Sequence, residues 1–323
     1  MRVLKLGTRP SQLARRQTEV VATALRAARP DLQVEIVIYT TRGDQELSRP
    51  LPEIGGKGLF TAEIEAALRA GEIDMAVHSF KDLPIASEAS DASGAGLAIG
   101  ATPERADARD VLVSRHRLPL ADLPPGPRIG TSSPRRAAQI LAVRPDAQIV
   151  SLRGNVDTRL RKAAGDDYDA VVLAAAGLVR MGLDRPITQW LPFEVMLPAP
   201  AQGALAVQCR ADDEAVLALL RSIHHPPTWA AVSAERAFLS GLGGGCAAPV
   251  AAYAVERPAP AGGGGLSLWL RGLVASLDGR QVVRVAASET PQAAEQLGLR
   301  LAQAALAQGA AALLALAVQR EAL

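Results

Sequence analysis

The chain has 323 residues, with 35 Lys and Arg against 33 Asp and Glu and a formal net charge of +2. This near balance argues against bulk binding to nucleic acid or an anionic membrane, because such binders usually carry a lopsided basic surface. Hydrophobic residues make up 49% and charged residues 21%. That composition excludes a disordered chain and allows two or three folded domains.

Two cysteines, Cys209 and Cys246, are too few for a disulfide framework or a zinc site. The first residues lack the apolar region of a secretory signal. The longest strictly apolar run, 310–318, falls well short of the ~20 residues that cross a bilayer. We therefore expect a cytoplasmic protein with no membrane span and no metal.

Strand and helix patterns alternate over the first two hundred residues. Ser11 is a candidate N-cap for a helix that runs to Ala28 and stops before Pro30. A further helix is expected at 61–70, and others begin at 134 and 156. Strands are expected at 3–6, 34–39, 73–77, 97–101, 110–113, 128–130, 149–152 and 170–174. This alternation predicts an α/β fold with mostly parallel, doubly wound sheets.

The pattern changes after about residue 215. A helix at 228–239 is followed by antiparallel strands over 250–288, with a hairpin signal at Asp278-Gly279, and by closing helices at about 291–308 and 310–320. The segment 198–210 forms a loop and a strand that could return to the first sheet. We predict three domains: a first lobe of 1–102 with 198–214, a second lobe of 103–197, and a C-terminal α+β domain of 215–323.

Four loops of the α/β part share one design, in which a strand ends, small polar residues follow and a basic residue comes next. They are GTRPS (7–11), HSFKDLP (78–84), GTSSPRR (130–136) and SLRGNVDTR (151–159). Ligands of open α/β sheets bind beyond the carboxyl ends of the strands, and guanidinium groups match carboxylates. Any one of these arginines could simply be solvated. Their concentration in such loops predicts a site for an anion with several carboxylates.

Two of these loops also predict helix starts. Ser133 followed by Pro134 is typical of an N-cap and a first helical position, where free N–H groups attract anions. Arg135 and Arg136 would add positive charge there. Asn155 is expected to cap the next helix in the same way.

Asp82 and Cys246 are the residues most able to carry chemistry. Asp82 would be ionised among cations and could stabilise a positive charge or move a proton, but it could also be an ordinary turn or salt-bridged aspartate. Cys246, in the glycine-rich LGGGCAAP, could be a nucleophile or a small buried residue. We expect His78 and Cys209 to be packed and inert.

Taken together, these motifs resemble the porphobilinogen deaminase (hydroxymethylbilane synthase) family. The matching segments follow in order over nearly the whole chain: GTRPSQLA, TRGD, GGKGLF, HSFKDLP, GTSSPRR, SLRGNVDTRL, LAAAGLVR, PAQGALAVQCR and GGGCAAP. The resemblance implies two lobes like those of periplasmic binding proteins and a third domain with the cofactor cysteine. It also implies a monomeric transferase of porphyrin and heme biosynthesis. Such an enzyme joins four porphobilinogen molecules, with loss of ammonia, into 1-hydroxymethylbilane, which passes to uroporphyrinogen-III synthase.

The same resemblance assigns roles to residues. It implies a dipyrromethane cofactor attached by a thioether to Cys246, and catalytic roles for Asp82 and Lys81. Cofactor contacts would fall on Lys57, Ser79, Ser133, Arg135, Arg136, Arg153 and Arg159. Substrate contacts would fall on Arg9, Ser11, Arg153, Arg159, Arg180 and Gln202. The chain departs from many relatives at Gly243, where they carry an acidic residue, and in its Gly/Pro-rich loop at 257–265.

Two other functions are open to this sequence. A solute-binding module of the periplasmic-receptor type would have the same two lobes and no chemistry, but the lack of a signal and the pairing of HSFKDLP with GGGC argue against it. A nucleic-acid binder could use the arginines, but the near-neutral charge and 3% aromatic content argue against that function.

Overall fold

A computed structural model describes residues 3–45, 58–85, 96–243, 249–259 and 265–321. Lys57, Cys246 and residues 260–264 of the Gly/Pro-rich loop lie outside the described residues. Packing divides the chain into two compact units, 1–106 with 203–229 and 107–202 with 230–323. Among the described residues, the first unit holds one β-sheet and the second holds two. We keep the predicted division into three domains as a proposal.

The predicted strands and helices are present in the predicted order, with ends that differ by a few residues, whereas the elements at 42–45, 175–180, 189–190 and 214–220 were not predicted. The strands are β1 (Leu4–Thr8), β2 (Val34–Ile38), β3 (Met75–Ser79), β4 (Leu97–Ala101), β5 (Asp110–Ser114), β6 (Arg128–Gly130), β7 (Gln148–Val150), β8 (Ala170–Ala174), β9 (Gln189–Trp190), β10 (Leu205–Arg210), β11 (Val250–Pro258), β12 (Leu266–Ala275) and β13 (Val282–Glu289). The helices are α1 (Gln12–Ala28), α2 (Arg42–Gln45), α3 (Ala62–Arg69), α4 (Pro134–Val143), α5 (Val156–Ala163), α6 (Ala175–Arg180), α7 (Glu214–Leu220), α8 (Pro226–Gly241), α9 (Ala294–Ala305) and α10 (Ala311–Glu321).

The first two sheets share one arrangement. Their strand orders are β2-β1-β3-β10-β4 and β7-β6-β8-β5-β9. In each order the fourth strand, β10 or β5, is antiparallel to both of its neighbours, whereas β1 or β6 is parallel to the strand on either side. The third sheet, β11-β12-β13, is antiparallel throughout. The predicted fold class is thus confirmed, and 205–210 does return to the first sheet.

Burial of the predicted apolar stripe explains why α1 forms. Its N-cap is Ser11, whose hydroxyl accepts the N–H of Ala14 at 3.2 Å. Val21 and Leu25 are fully buried in the same core as Leu6 of β1. The helix thereby fixes the chain that leaves the carboxyl end of β1.

The third sheet is covered on one side by helices. The stretch Pro291–Ala317 is long and apolar enough to cross a membrane by length and composition. It is, however, kinked at Gly309, where φ is 98°, and it buries Leu297, Leu301 and Leu313 in the core of the third sheet. We therefore assign this stretch to the hydrophobic core of the second unit.

The expected positions of two helix N-caps are confirmed, whereas one loop boundary was wrong. Ser133 and Asn155 hold the N-cap positions of α4 and α5, but neither side chain makes a capping hydrogen bond. The N–H of Ser133 instead donates to the hydroxyl of Thr131 at 3.1 Å, which draws the loop into a local turn. The predicted loop at 257–265 also begins later, because β11 continues to Pro258 in pairing with β12.

Candidate functional site

Two of the predicted basic loops lie at one edge of the first sheet. β1 and β3 are neighbouring parallel strands, so their carboxyl ends meet at the same edge. Arg9 and Ser11 follow β1, and Ser79, Lys81 and Asp82 end or follow β3. This edge therefore collects a carboxylate, two cations and two hydroxyls from segments far apart in sequence.

Asp82 and Lys81 are presented to solvent by a short 3-10 helix, Phe80–Asp82. Both side chains are exposed, whereas Phe80 before them and Leu83 after them are buried. Phe80 also stacks on Trp229 with ring centroids 6.2 Å apart. The two buried residues fix the turn, so that the carboxylate between them points outward.

Arg9 is held in place by a carboxylate that the sequence analysis did not single out. Its guanidinium pairs with both oxygens of Asp44 and lies 4.1 Å from the centroid of the Phe60 ring. Partial burial opposes ionisation of Asp44, but hydrogen bonds from Arg9 and Thr41 lower the pKa of that carboxyl. Asp44 ends the TRGD segment. Its charge and the preceding glycine were the only features of the sequence that could have marked it as a functional residue.

Gln17 is a second residue at this edge that the sequence analysis missed. It is 5% exposed, and its amide exchanges two hydrogen bonds with the Ser79 hydroxyl, at 2.8 and 3.2 Å. The contact ties α1 to the end of β3. In the sequence, Gln17 is a polar residue on the otherwise apolar stripe of α1, between Ala14 and Val21. That position was the feature that could have indicated a buried hydrogen bond.

His78, just before this edge, is packed as expected. Its Nε2 lies 3.2 Å from Oε1 of Gln208, whose amide donates to Glu65 at 3.4 Å. Burial disfavours the charged ring and lowers the pKa of His78 to about 4. Cys209 is equally inert, since burial raises the pKa of its thiol to about 11.

The remaining basic loops lie at one edge of the second sheet. β6 is parallel to both of its neighbours, β7 and β8, so the segments after all three strands meet at that edge. Ser132 joins two of these segments, because its hydroxyl donates to the carbonyl of Leu152 and accepts the N–H of the same residue, at 2.9 and 3.0 Å. The basic residues of this edge are Arg135, Arg136, Arg153, Arg159 and Arg180.

Arg135 and Arg136, here called the arginine pair, lie deeper than predicted. Each is 6% exposed, and both bind the carboxylate of Asp110, which is fully buried at the start of β5. Arg135 Nη1 and Arg136 Nη2 each lie 2.7 Å from one of its oxygens. Both residues lie in the first turn of α4, as expected, but their guanidiniums turn inward. Asp110 draws the two guanidiniums inward by pairing with them. In the sequence Asp110 is only the first residue of a predicted strand, so nothing indicated this role.

The cluster around Asp110 keeps one surplus positive charge. Burial opposes ionisation of Asp110, but the two guanidiniums hold its pKa far below the usual range. Burial also lowers the pKa of Arg135, and Asp110 is the acidic group that counteracts this. Two cations share one anion, so a ligand carboxylate near them would complete the charge balance.

Gln202 supports this cluster from within. It is 1% exposed, and its amide nitrogen donates to Asp110 and to the carbonyl of Ala108, both at 2.9 Å. Both of its N–H groups are thus directed at protein atoms. The structure gives Gln202 a supporting position, and its direct substrate contact stays a prediction.

The other arginines of this edge are half-buried. Arg159 Nε donates to the carbonyl of Gly154 at 2.7 Å, which folds the side chain back on the start of α5. The carbonyl of Arg153 lies 3.4 Å from Lys162 Nζ. Burial lowers the pKa of Arg180 to about 10, so its guanidinium stays charged at neutral pH. Arg153 and Arg159 follow the carboxyl end of β7 along the chain, and Arg180 ends the helix that follows β8.

Comparison with known proteins bears on the whole chain. Residues 4–218 match a family model described as "Porphobilinogen deaminase, dipyromethane cofactor binding domain", and residues 229–307 match "Porphobilinogen deaminase, C-terminal domain". Porphobilinogen deaminase of Brevibacillus brevis is 50% identical over 96% of this chain and 96% of its own length. That of Syntrophomonas wolfei is 49% identical over 97% of this chain and 98% of its own.

Solved structures give a more remote likeness. The aliphatic sulphonate binding protein SsuA from Escherichia coli is 17% identical, with a TM-score of 0.38 over 74% of this chain and 70% of that protein. The sequence relatives, in contrast, match nearly end to end and with half of their residues identical. The chain belongs to the porphobilinogen deaminase family.

Proposed function

We propose that this enzyme joins four porphobilinogen molecules, with release of ammonia, into the linear tetrapyrrole 1-hydroxymethylbilane, on a dipyrromethane primer bound to Cys246. The matched cofactor-binding domain supports the proposal. The structural observation that carries it is the arginine pair, in which two guanidiniums share the single carboxylate of Asp110. A buried cationic surplus of this kind suits a ligand rich in carboxylates.

The residues of the second sheet edge fit a dipyrromethane group. Each pyrrole of the group carries two carboxylates, and carboxylates removed from water need cationic partners. Arg153, Arg159 and the arginine pair would hold them, with Ser133 as a hydroxyl donor beside α4. When bound, the group supplies the carbon nucleophile to which the first substrate is joined.

Asp82 would steady the reacting ring of porphobilinogen. When the bond between the aminomethyl carbon and its nitrogen breaks, the electron pair leaves with ammonia and the pyrrole keeps a positive charge. A fixed carboxylate near the ring nitrogen offsets that charge and can accept the ring proton. Lys81 beside it, with Arg9 and Ser11 at the same edge, would bind substrate carboxylates.

Intact mass and turnover of one set of variants test this function. We expect the purified protein to be heavier than its sequence by two pyrrole units, and Cys246→Ser to lack the addition. Asp82→Asn should lose at least about 100-fold in ammonia release, the usual scale for removing a general acid or counter-charge. Asp122→Asn is the matched control, because Asp122 is also an exposed aspartate ending a 3-10 helix, Leu120–Asp122, and it should keep full turnover.

The outcomes separate the parts of the proposal. A Cys246→Ser protein with the same added mass would contradict the attachment site. Normal ammonia release by Asp82→Asn would contradict the role of Asp82. A protein that binds porphobilinogen without releasing ammonia would be a solute-binding module instead of an enzyme.

We also propose that the protein is a cytoplasmic monomer and that its product passes to uroporphyrinogen-III synthase. The supporting argument is chemical, since a linear hydroxymethyl tetrapyrrole must meet a ring-closing reaction. Light scattering during gel filtration tests the monomer, because a dimer would double the measured mass. Adding the synthase to a turnover assay tests the transfer, with a cyclic porphyrinogen as the expected product.

A further inference from the structure

Glu235 of α8 is a buried carboxylate without an assigned role. It is fully buried, and its two oxygens accept the backbone N–H groups of Ala201 and Ala254, at 2.6 and 2.8 Å. A buried carboxylate is costly unless hydrogen bonds satisfy it. Glu235 therefore joins three parts of the second unit: α8, the third sheet at β11 and the segment before Gln202.

The segment that Glu235 holds has an unusual backbone. Ala201 is fully buried and has a φ of 64°, in the left-handed region that residues other than glycine rarely adopt. Its N–H donates to Glu235, so the carboxylate stabilises this conformation directly. Strain of this kind persists where surrounding contacts over-determine the backbone.

The residue after Ala201 leads to the arginine pair. Gln202 places its amide nitrogen on Asp110, whose carboxylate orients both guanidiniums. The direction of the Gln202 side chain depends on the backbone angles of the residue before it. A continuous chain of hydrogen bonds and one peptide link therefore runs from Glu235 to Arg135 and Arg136.

We propose that Glu235 is a positioning residue for the arginine pair. By holding Ala201 in its left-handed conformation, it sets the Gln202 amide on Asp110 and so fixes the guanidiniums for a carboxylate ligand. The inference rests on the proposed function, which gives the arginine pair its ligand. The proposal gives a role to a residue of α8 that lies 34 positions after Ala201 in the chain. Glu235 would act without touching the substrate.

Four variants test the chain of contacts. Glu235→Gln replaces one accepting oxygen by an N–H donor that faces a backbone N–H. Ala201→Gly removes the strain, because glycine adopts positive φ readily. The double variant combines the two changes. Phe238→Leu is the control for stability, since Phe238 is fully buried on the same helix against Gly272 and lies off the chain of contacts.

The expected pattern is a change in KM and its rescue. Glu235→Gln should raise KM for porphobilinogen about 10-fold with kcat within about threefold, as removal of binding interactions does. Ala201→Gly should keep KM within about twofold of the wild-type value. The KM of the double variant should return most of the way to that of Ala201→Gly. Phe238→Leu should lower the Tm and leave KM unchanged. As a readout apart from turnover, apo-protein of Glu235→Gln mixed with porphobilinogen should gain the mass of the primer more slowly than wild type.

Three results would overturn the inference. They are a wild-type KM for Glu235→Gln, a double variant as impaired as Glu235→Gln, and a rise in KM for Phe238→Leu of the same size. If Glu235→Gln does not fold, Glu235→Asp replaces it, keeping the charge with one methylene fewer, under the same expectations. A wild-type protein that neither gains mass nor releases ammonia would overturn the proposed function as well, so the two failures are distinguishable.

Discussion

A single buried carboxylate, Asp110, organises the buried charge cluster that it forms with Arg135 and Arg136. Burial alone would favour its neutral form, and the two guanidiniums reverse that preference. An asparagine of the same shape could accept hydrogen bonds but would leave two buried cations without an anion. One side chain therefore orients the arginine pair and also supplies the negative charge that allows both guanidiniums to be buried.

His78 makes the stability of the first unit sensitive to acid. Its folded pKa of about 4 lies below the model-peptide value of 6.5. The unfolded chain therefore takes up a proton first as the pH falls, and stability that is present above pH 6.5 is lost towards pH 4. We expect this residue to cost about 2 kcal/mol of unfolding free energy at pH 5 relative to pH 7.5.

Urea unfolding at both pH values measures this loss. His78→Gln cannot take up a proton and keeps an amide donor towards Gln208. It should therefore lose less stability on acidification than wild type, by about the same 2 kcal/mol. Equal losses in the two proteins would show that His78 is protonated in the folded state at pH 5.

At the scale of elements, α4 is held in place both by the ion pairs of its first turn and by packing against the third sheet. Its first turn carries the arginine pair, and Ala138 lies in a core shared with Leu273 and Ala275 of the third sheet. The turn between β12 and β13 also touches it. A Cβ added at Gly279 would lie 2.4 Å from the carbonyl oxygen of Ala138. Movement of this hairpin would therefore shift the helix that holds the arginines.

Gly279→Ala tests that contact. The residue has a φ of 70°, and the added methyl would also meet backbone atoms of Ala142 and Leu141. Left-handed strain and overpacking together should cost about 2–4 kcal/mol in urea unfolding. Gly182→Ala is the matched control, because its φ is 65° with open space around it, and it should cost about 1 kcal/mol. Equal costs would mean that the hairpin does not press on α4.

Elements of this chain were predictable from local patterns, whereas its charge pairs were not. Periodicity, Pro30, Pro134 and Asp278-Gly279 placed helices and strands to within a few residues, because such signals act over one or two turns. The strand pattern also placed the basic loops beyond the carboxyl ends of their strands. Pairing of Arg135 with Asp110, or of Ala201 with Glu235, joins residues 25 and 34 positions apart. Such contacts depend on which strands become neighbours, which no local pattern specifies.

At the scale of the whole molecule, the chain leaves the first unit after Ala106 and returns at Gly203. The returning strand, β10, enters between β3 and β4 and pairs with both. Val207 of β10 is fully buried in the core that includes Leu6 and Val77. Stability of the first sheet therefore depends on a strand that follows the whole α/β part of the second unit.

Hydrogen exchange of Val207→Ala tests this dependence. Removing two methyl groups from this core should cost about 2 kcal/mol. Amides of β3 and β4 should then exchange faster, together with those of β10, because the three strands share hydrogen bonds. Val172→Ala is the control, because Val172 is a nearly fully buried residue of β8. It should instead speed exchange in the second sheet. Unchanged protection of β3 in Val207→Ala would contradict the dependence.

The late position of β10 also constrains synthesis on the ribosome. When residue 106 emerges, β3 has its partner β1 on one side and an open edge on the other. At roughly 5–20 residues per second, the next hundred residues take about 5–20 s to appear. During that interval an apolar strand edge of the nascent chain is available for wrong pairing. Slow codons between positions 107 and 202 would lengthen the interval, and a chaperone that shields this edge would raise the yield of folded protein.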